Sequence, residues 1–446
     1  MKSITLNTTL LQFIEENKLF TPSEKLLLAF SGGIDSVVLA HLLFTNNFKV
    51  ELAHCNFTLR GKESDNDEQF AVKFAHKLGI PIYTKQFDTK KYAQEQKLTI
   101  QEAARHLRYR FFEELAMKWN FNYILTAHHL DDNIETLFIN LLRGTGIKGL
   151  CGIPLKNNLI IRPLLFATRE QITQYAISHN LTWREDSSNL SDKYTRNFIR
   201  HHIIPLIKAK NKHFYSIFSQ NIQRINNSSE LLSYLVADKL KPYIKTNKNQ
   251  IIIELNALQS LPYSTSLLYH FAQNFGFNFD QIQSVTEQKH QSGKIYLSAT
   301  HKAYIDRNKL IIIPLEIKNV EMEHSISSNT KKIDQPITLF FKIHEHQNND
   351  NIPTESNIAY LDASKINFPL TLRKWKAGDR FYPLGMKQSK KVSDFLTDLK
   401  MNRYEKENTW VLCSSNQIVW IIGHRIDNRY KITKNTTKVL EIKFKA

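Results

Sequence analysis

Four short apolar runs, each followed by a helical pattern, fill the stretch from Lys25 to Arg143: LLLAF then DSVVLAHLLF, KVELAHCNF then SDNDEQFAVKFAHKLG, IPIYTKQF then TIQEAARHLRYRFFEELAMKW, and YILTA then DDNIETLFINLLR. Strands separated by helix-length connections run parallel, because only a crossover of that length returns the chain to the same edge of the sheet. The alternation therefore predicts an α/β domain over 1–215, a parallel sheet with its ligand chemistry in the loops beyond the strands' carboxyl ends. Past about Lys210 the pattern changes to amphipathic helix, as in SIFSQNIQRI and SSELLSYLVADKL, then IIIEL, a helix near LLYHFAQNFGF, and short strands. That predicts a mostly helical domain over 216–315. Residues 316–356, with SISSNTKK and HQNNDNIPTESN, read as linker or loop, and 357–446, with FPLTLRKW, TWVLCS and QIVWIIG, as a small β-rich domain.

The first strand runs into Ser31-Gly32-Gly33-Ile34-Asp35-Ser36 and then into a helix. Paired glycines let backbone N–H groups close round an anion, and the helix start adds about half a positive charge. This predicts a phosphate cradle built on Ser31, Gly32, Gly33 and Ser36. It is not a Walker A loop, since no GxxxxGK[ST] occurs. A carboxylate at position 35 repels phosphate unless a divalent cation bridges them, so Mg2+ beside Asp35 is expected. A second glycine motif, Gly144-Thr145-Gly146-Ile147-Lys148-Gly149, follows a helix and not a strand, the reverse of a dinucleotide fingerprint.

After YILTA come His128-His129-Leu130-Asp131-Asp132-Asn133-Ile134-Glu135. Asp132 and Glu135 share a helix face, and so do Asp131 and Glu135. Such carboxylates suit a metal or a substrate ammonium, with Asp131 expected to cap the helix N-terminus. The same run could be read as a metallohydrolase site, but no second cluster of comparable ligands accompanies it and SGGIDS would go unexplained. Arg105 and Arg108 lie one turn apart on the preceding helix, and Arg196, Asn197, Arg200, His201 and His202 follow the polar run from Trp183 to Asn189.

In order and spacing, SGGIDS (31–36), EAARHLRY (102–109), AHHLDDNIET (127–136), RGTGIKGLCGIP (143–154), IRPLL (161–165) and DSSN…RNFIR (186–200) resemble the PP-loop ATP pyrophosphatases. Together with LRKWKAGDRFYPLGM (372–386), KKVSDFL (390–396) and WIIGHRIDNR (420–429), they are similar to the tRNA(Ile)-lysidine synthase family within that superfamily. At 54–60 the chain reads HCNFTLR, where many members carry a His-Gly-Leu-Arg loop. The resemblance implies an adenine-nucleotide alpha-hydrolase-like domain followed by tRNA-binding domains. It also implies an ATP-dependent, C–N bond-forming ligase. Such an enzyme adenylates the C2 oxygen of the wobble cytidine in the CAU anticodon of tRNA(Ile), and the ε-amine of free L-lysine then displaces AMP. It implies catalytic roles for Asp35, Asp132, Glu135, Arg108 and Arg200, and nucleotide contacts from Ser31, Gly32, Gly33, Asp35, Ser36 and His128.

Charge agrees with a polyanionic partner. The chain carries 60 basic and 42 acidic side chains, a net +18, and residues 371–446 hold 17 of the first and 7 of the second, interleaved with Trp375, Phe381, Tyr382, Tyr404 and Trp420. The three cysteines are far apart, which excludes a disulfide framework and a CxxC pair and removes the parts that a rival PP-loop tRNA thiolase needs. A tRNA-binding protein with a vestigial nucleotide fold is the other alternative. With no apolar leader and no run near ~18 apolar residues, a cytoplasmic location off the membrane is expected, with a homodimer as a possible state.

Overall fold

The computed structural model describes residues 5–185, 195–247, 249–287, 293–315, 323–346 and 355–445. The chain divides into two units, Met1–Leu235 and Val236–Ala446.

In the first unit, helix α1 (Leu6–Glu16) precedes β1 (Lys25–Ala29), α2 (Ile34–Thr45), β2 (Lys49–Asn56), α3 (Lys62–Leu78), β3 (Ile82–Gln86), α4 (Thr89–Gln96), α5 (Ile100–Trp119), β4 (Tyr123–Leu125) and α6 (Leu130–Arg143). Then come α7 (Ile147–Leu150), the short β5 (Lys156–Asn157) and β6 (Ile160–Ile161), α8 (Arg169–Ser178), α9 (Thr195–Phe198), α10 (Ile204–Lys210) and the long α11 (Phe214–Leu240), whose residues from Val236 on belong to the second unit. The sheet order is β3-β2-β1-β4-β6-β5, parallel throughout except for the β5–β6 pair. Strand β1 is buried along its middle because helices cover both faces, which is why it reads as an unbroken apolar run. The chain winds from β1 outward to β3, then crosses back to β4 on the other side of β1. The winding direction reverses there, and it opens a crevice at the carboxyl ends of β1 and β4. Ser31–Ser36 and Ala127–Asp132 both sit at that crevice.

In the second unit, β7 (Ile244–Asn247), β8 (Gln250–Glu254), α12 (Leu255–Gln259), α13 (Ser264–Ala272), α14 (Phe279–Glu287), β9 (Ile295–Leu297), β10 (His301–Asp306) and β11 (Lys309–Pro314) form the first layer pair. The expected helices bury Leu258, Leu268 and Ile282 against Ile253, Ile305 and Ile312 of an antiparallel sheet ordered β7-β8-β11-β10-β9. The rest is β-rich: β12 (His324–Ile326), β13 (Lys332–Ile333), β14 (Thr338–Glu345), β15 (Ile358–Asp362), β16 (Leu370–Lys374), β17 (Arg380–Phe381), β18 (Lys390–Lys391), α15 (Val392–Asp398), α16 (Arg403–Glu407), β19 (Trp410–Ser414), β20 (Gln417–Ile421), β21 (Arg425–Ile426) and β22 (Lys438–Lys445). Two antiparallel sheets, β12-β16-β19-β20-β21 and β13-β14-β22-β15, share a core around Trp420, Leu372 and Leu440. The stretch 316–356 read as linker differs here, because its described residues 323–346 carry β12, β13 and β14. The alternation in TLFFKIHE turns Leu339 and Phe341 into that core, and β14 pairs with β22 along its whole length.

Candidate active site

The turn between β1 and α2 requires glycine at position 32. Its φ is +84°, and an added Cβ would lie 3.2 Å from Cδ1 of Phe70. Gly33 is the N-cap of α2 with extended φ and ψ and provides no side-chain cap, so the first-turn amides of the helix lack the usual internal acceptor. Around them the turn is braced. Ser36 is buried and its hydroxyl donates to the Gly33 carbonyl at 2.9 Å, Ser31 Oγ accepts from the Gly33 N–H at 3.3 Å, and the Arg184 N–H donates to the Gly32 carbonyl at 2.9 Å. The Gly33 and Gly32 carbonyls are thus taken, by Ser36 and by Arg184, and the start of α2 is left to an anion. The HCNFTLR segment lies close by: Asp67 accepts from both Arg60 Nη2 and Arg184 Nε, each at 2.9 Å.

Across the crevice α6 begins at His129, which is buried and lies among carboxylates. Its Nε2 is 3.6 Å from Asp35 Oδ1 and 3.5 Å from Asp132 Oδ2, and its Nδ1 is 3.5 Å from Asp131 Oδ2. Burial opposes a charge there, yet the carboxylates of Asp131, Asp132 and Asp35 outweigh it and raise the pKa of His129. Burial drives His128 the other way, to about 4, against the pull of Asp132; its Nδ1 contacts Thr126 Oγ1 at 2.9 Å. The two adjacent histidines are therefore shifted in opposite directions and do not converge on one ion. Among the described residues no group of three His, Cys, Asp or Glu side chains is arranged to hold a metal by itself.

Asp131 does not cap its own helix as expected. Asp132, at the third position of α6, reaches back to accept the His129 N–H at 3.1 Å. Asp131 instead accepts the Arg169 N–H at 2.8 Å and the Tyr215 hydroxyl at 2.6 Å, binding the starts of α8 and α11 to α6. Burial raises its pKa, but the nearby His129 and the bonds from Tyr215 and Arg169 prevail and hold it at about 2.

Glu135 is 1% exposed and meets Arg200 in a two-pronged pair, Nε to Oε1 at 2.6 Å and Nη2 to Oε2 at 3.0 Å. Arg200 Nη2 is also 3.8 Å from Asp132 Oδ1, and Arg196 Nε is 3.6 Å from Glu135 Oε2. Burial raises the pKa of Glu135, with Arg200 opposing. Asp35, His128, Asp132, Glu135 and Arg200 thus meet at one crevice, with Ser31, Gly32, Gly33 and Ser36 on its other wall. Arg108 is not part of this group: it is exposed, with its guanidinium 5.2 Å over the ring of Phe57 beyond β2. The DSSN run at 186–189 lies outside the described residues.

Sequence reasoning missed His129 as a centre of charge and Arg169 altogether. Arg169 Nη1 forms an ion pair with Asp35 Oδ1. No local signal marks it, since its partner lies 134 residues away. A hard cation that shares phosphate oxygens needs only one or two protein carboxylates, and Asp35 and Asp132, both beside His129, meet that requirement.

The PP-loop domain profile matches residues 3–207, that of the TilS substrate binding domain 246–315, and that of the TilS substrate C-terminal domain 370–442. A tRNA(Ile)-lysidine synthase of Parabacteroides distasonis is 39% identical over 443 residues, covering 98% of this chain and 99% of its own. The Bacteroides thetaiotaomicron enzyme of the same name is 38% identical over 431 residues, with 96% and 97% covered. Among solved structures, a U34-tRNA thiolase from Methanococcus maripaludis aligns with a TM-score of 0.40 and 17% identity over 49% of this chain and 77% of that one.

Proposed function

This chain belongs to the tRNA(Ile)-lysidine synthase family, and on that premise we propose that it joins free L-lysine to the wobble cytidine of the CAU anticodon of tRNA(Ile), as an ATP-consuming ligase. A 2-oxo group is a poor leaving group and AMP a good one, so adenylation divides one high barrier into two lower ones. The uncapped start of α2, with Ser31, Gly32 and Gly33, binds the triphosphate, and the inward bond of Ser36 keeps the turn in shape. Mg2+, held by Asp35 with Asp132 beside it, would neutralise charge on the pyrophosphate as it leaves.

The observation that carries the reading is the pairing of that anion seat with the Asp132–Glu135–Arg200 group across one crevice. Both oxygens of Glu135 are taken by Arg200, which fixes a guanidinium at the site and removes Glu135 as a free base. Asp132 Oδ1 stands 3.8 Å from Arg200 and is the carboxylate available to the ε-ammonium of lysine. At pH 7 only roughly one lysine amine in a few thousand is neutral, and a carboxylate beside the ammonium raises its pKa further, so the adenylate phosphate competes with Asp132 as proton acceptor. The thiolase alternative finds no support in the cysteines: burial lifts Cys55 to about 12 and Cys413 to about 11, and both stay protonated thiols. A cytoplasmic enzyme would meet all three substrates, and among the described residues no helix is long and apolar enough to cross a membrane.

Incubation with ATP, radiolabelled lysine and an isoleucine tRNA bearing CAU, followed by nucleoside analysis, tests the proposal. Label in a single modified cytidine, with one AMP and one pyrophosphate per event, is expected. RNA free of label would overturn the proposal, and tRNA binding without ATP turnover would favour a purely binding protein.

A further inference from the structure

In this crevice Asp35 Oδ1 pairs with Arg169 Nη1 and lies 3.6 Å from His129 Nε2. Arg169 opens α8, and that helix start is fixed in turn: its N–H donates to Asp131 Oδ2 at 2.8 Å, and Thr168 and Gln171 close a capping box round it. The backbone of Arg169 is thus anchored to the start of α6. Its side chain is 47% exposed and reaches from that anchor to Asp35.

A divalent cation and a guanidinium compete for one carboxylate, because a metal ion drawn to Asp35 withdraws its negative charge and repels the guanidinium. Were Asp35 to take a cation together with a nucleotide, Arg169 would lose its partner, and phosphate oxygens, which planar guanidinium donors suit, could replace it. We propose that Arg169 is a positioning residue that exchanges partners, holding Asp35 in place until nucleotide arrives and gripping the triphosphate once Asp35 has taken the metal. This rests on the reading of Asp35 as the metal-holding residue.

The two halves of the exchange predict effects of opposite sign, which a merely structural arginine would not produce. Mn2+ binding to the full-length protein without nucleotide, followed by electron paramagnetic resonance, is expected to become about threefold tighter in Arg169→Ala, because a competitor for Asp35 is gone. Binding of an α,β-methylene ATP analogue in the presence of Mg2+ is expected to weaken at least about tenfold in the same variant, with Arg169→Lys recovering part of the loss. Both affinities unchanged, or both weakened together, would overturn the exchange, and so would Arg169→Lys behaving as Arg169→Ala. Asp35→Asn tests the premise separately. If it leaves Mn2+ binding intact, Asp35 does not hold the metal and the exchange falls with it; if Mn2+ binding is lost while Arg169→Ala changes nothing, the premise stands and only the exchange fails.

Discussion

Asp131 and Asp132 are chemically the same residue in adjacent positions, yet one ties three helices together and the other is the carboxylate proposed to meet the substrate. Asp131 is held at about 2, below an ordinary 3.8, by His129, Tyr215 and Arg169 despite its burial. Its folded pKa is depressed, so its contribution, on the order of 2 kcal/mol, is present in full above about pH 4 and disappears as the pH falls towards 2. Asp131→Asn should therefore be less stable than the wild type by about that amount at neutral pH, and the gap in denaturant unfolding should close at about pH 2. Glu135→Ala leaves Arg200 without its carboxylate; because Arg200 is partly exposed, the loss should be about 1–2 kcal/mol, smaller than for a buried pair, with Glu135→Gln milder. Adenylation should fall in both variants, as measured by pyrophosphate release in a single turnover. Asp35→Ala should keep tRNA affinity and lose pyrophosphate release; normal turnover would remove Asp35 from the mechanism. The convergence of Asp35, Asp132 and Glu135 was legible because each stands in a short motif at a strand's carboxyl end, whereas Arg200, on a helical stretch far from any strand end, came only from the family resemblance. The duties of Asp131 and the presence of Arg169 were not, because they depend on contacts from helices 38 and 84 residues further along the chain.

At the scale of elements, the β1–α2 turn is decided by a few torsions. Gly32→Ala combines an unfavourable φ with a contact to Phe70 that the ring must yield to, so a loss of about 1–2 kcal/mol is expected. The larger effect should be on function. A shift in the turn re-aims the first-turn amides of α2, and the affinity for an ATP analogue, measured by calorimetry, should fall more steeply than the melting temperature. The alternation of strand and helix made the parallel sheet readable from residue order alone, since buried β1 and the long α5 have different periods and lengths. β5 and β6 gave no such signal, at two residues each. β14 was hidden for another reason: its alternation is confined to eight residues flanked by Asn- and Ser-rich sequence, and composition outweighed pattern.

At the scale of the molecule, the excess of positive charge concentrated in 371–446 bears on how tRNA is held, but truncation is a poor way to ask. Cutting at 371 removes β22, the strand that pairs with both β14 and β15, and exposes Leu339, Phe341 and Leu361. Weaker binding by such a fragment would report unfolding as much as missing charge. Exposed charges can be reversed without touching that sheet. Lys387 and Lys391 lie on the surface near β18, whereas Lys390 and Lys376 already pair with Asp398 and Glu323. Each lysine that meets a phosphate releases counterions on binding, so the double variant Lys387→Glu, Lys391→Glu should bind tRNA more weakly, with the plot of log affinity against log salt shallower by about 0.7–0.9 for every phosphate no longer neutralised. Folding, followed by thermal melting, should be unchanged. An unaltered slope would mean that this surface is basic without touching RNA, and the search for the tRNA-binding face would move to the other cations of the same domain.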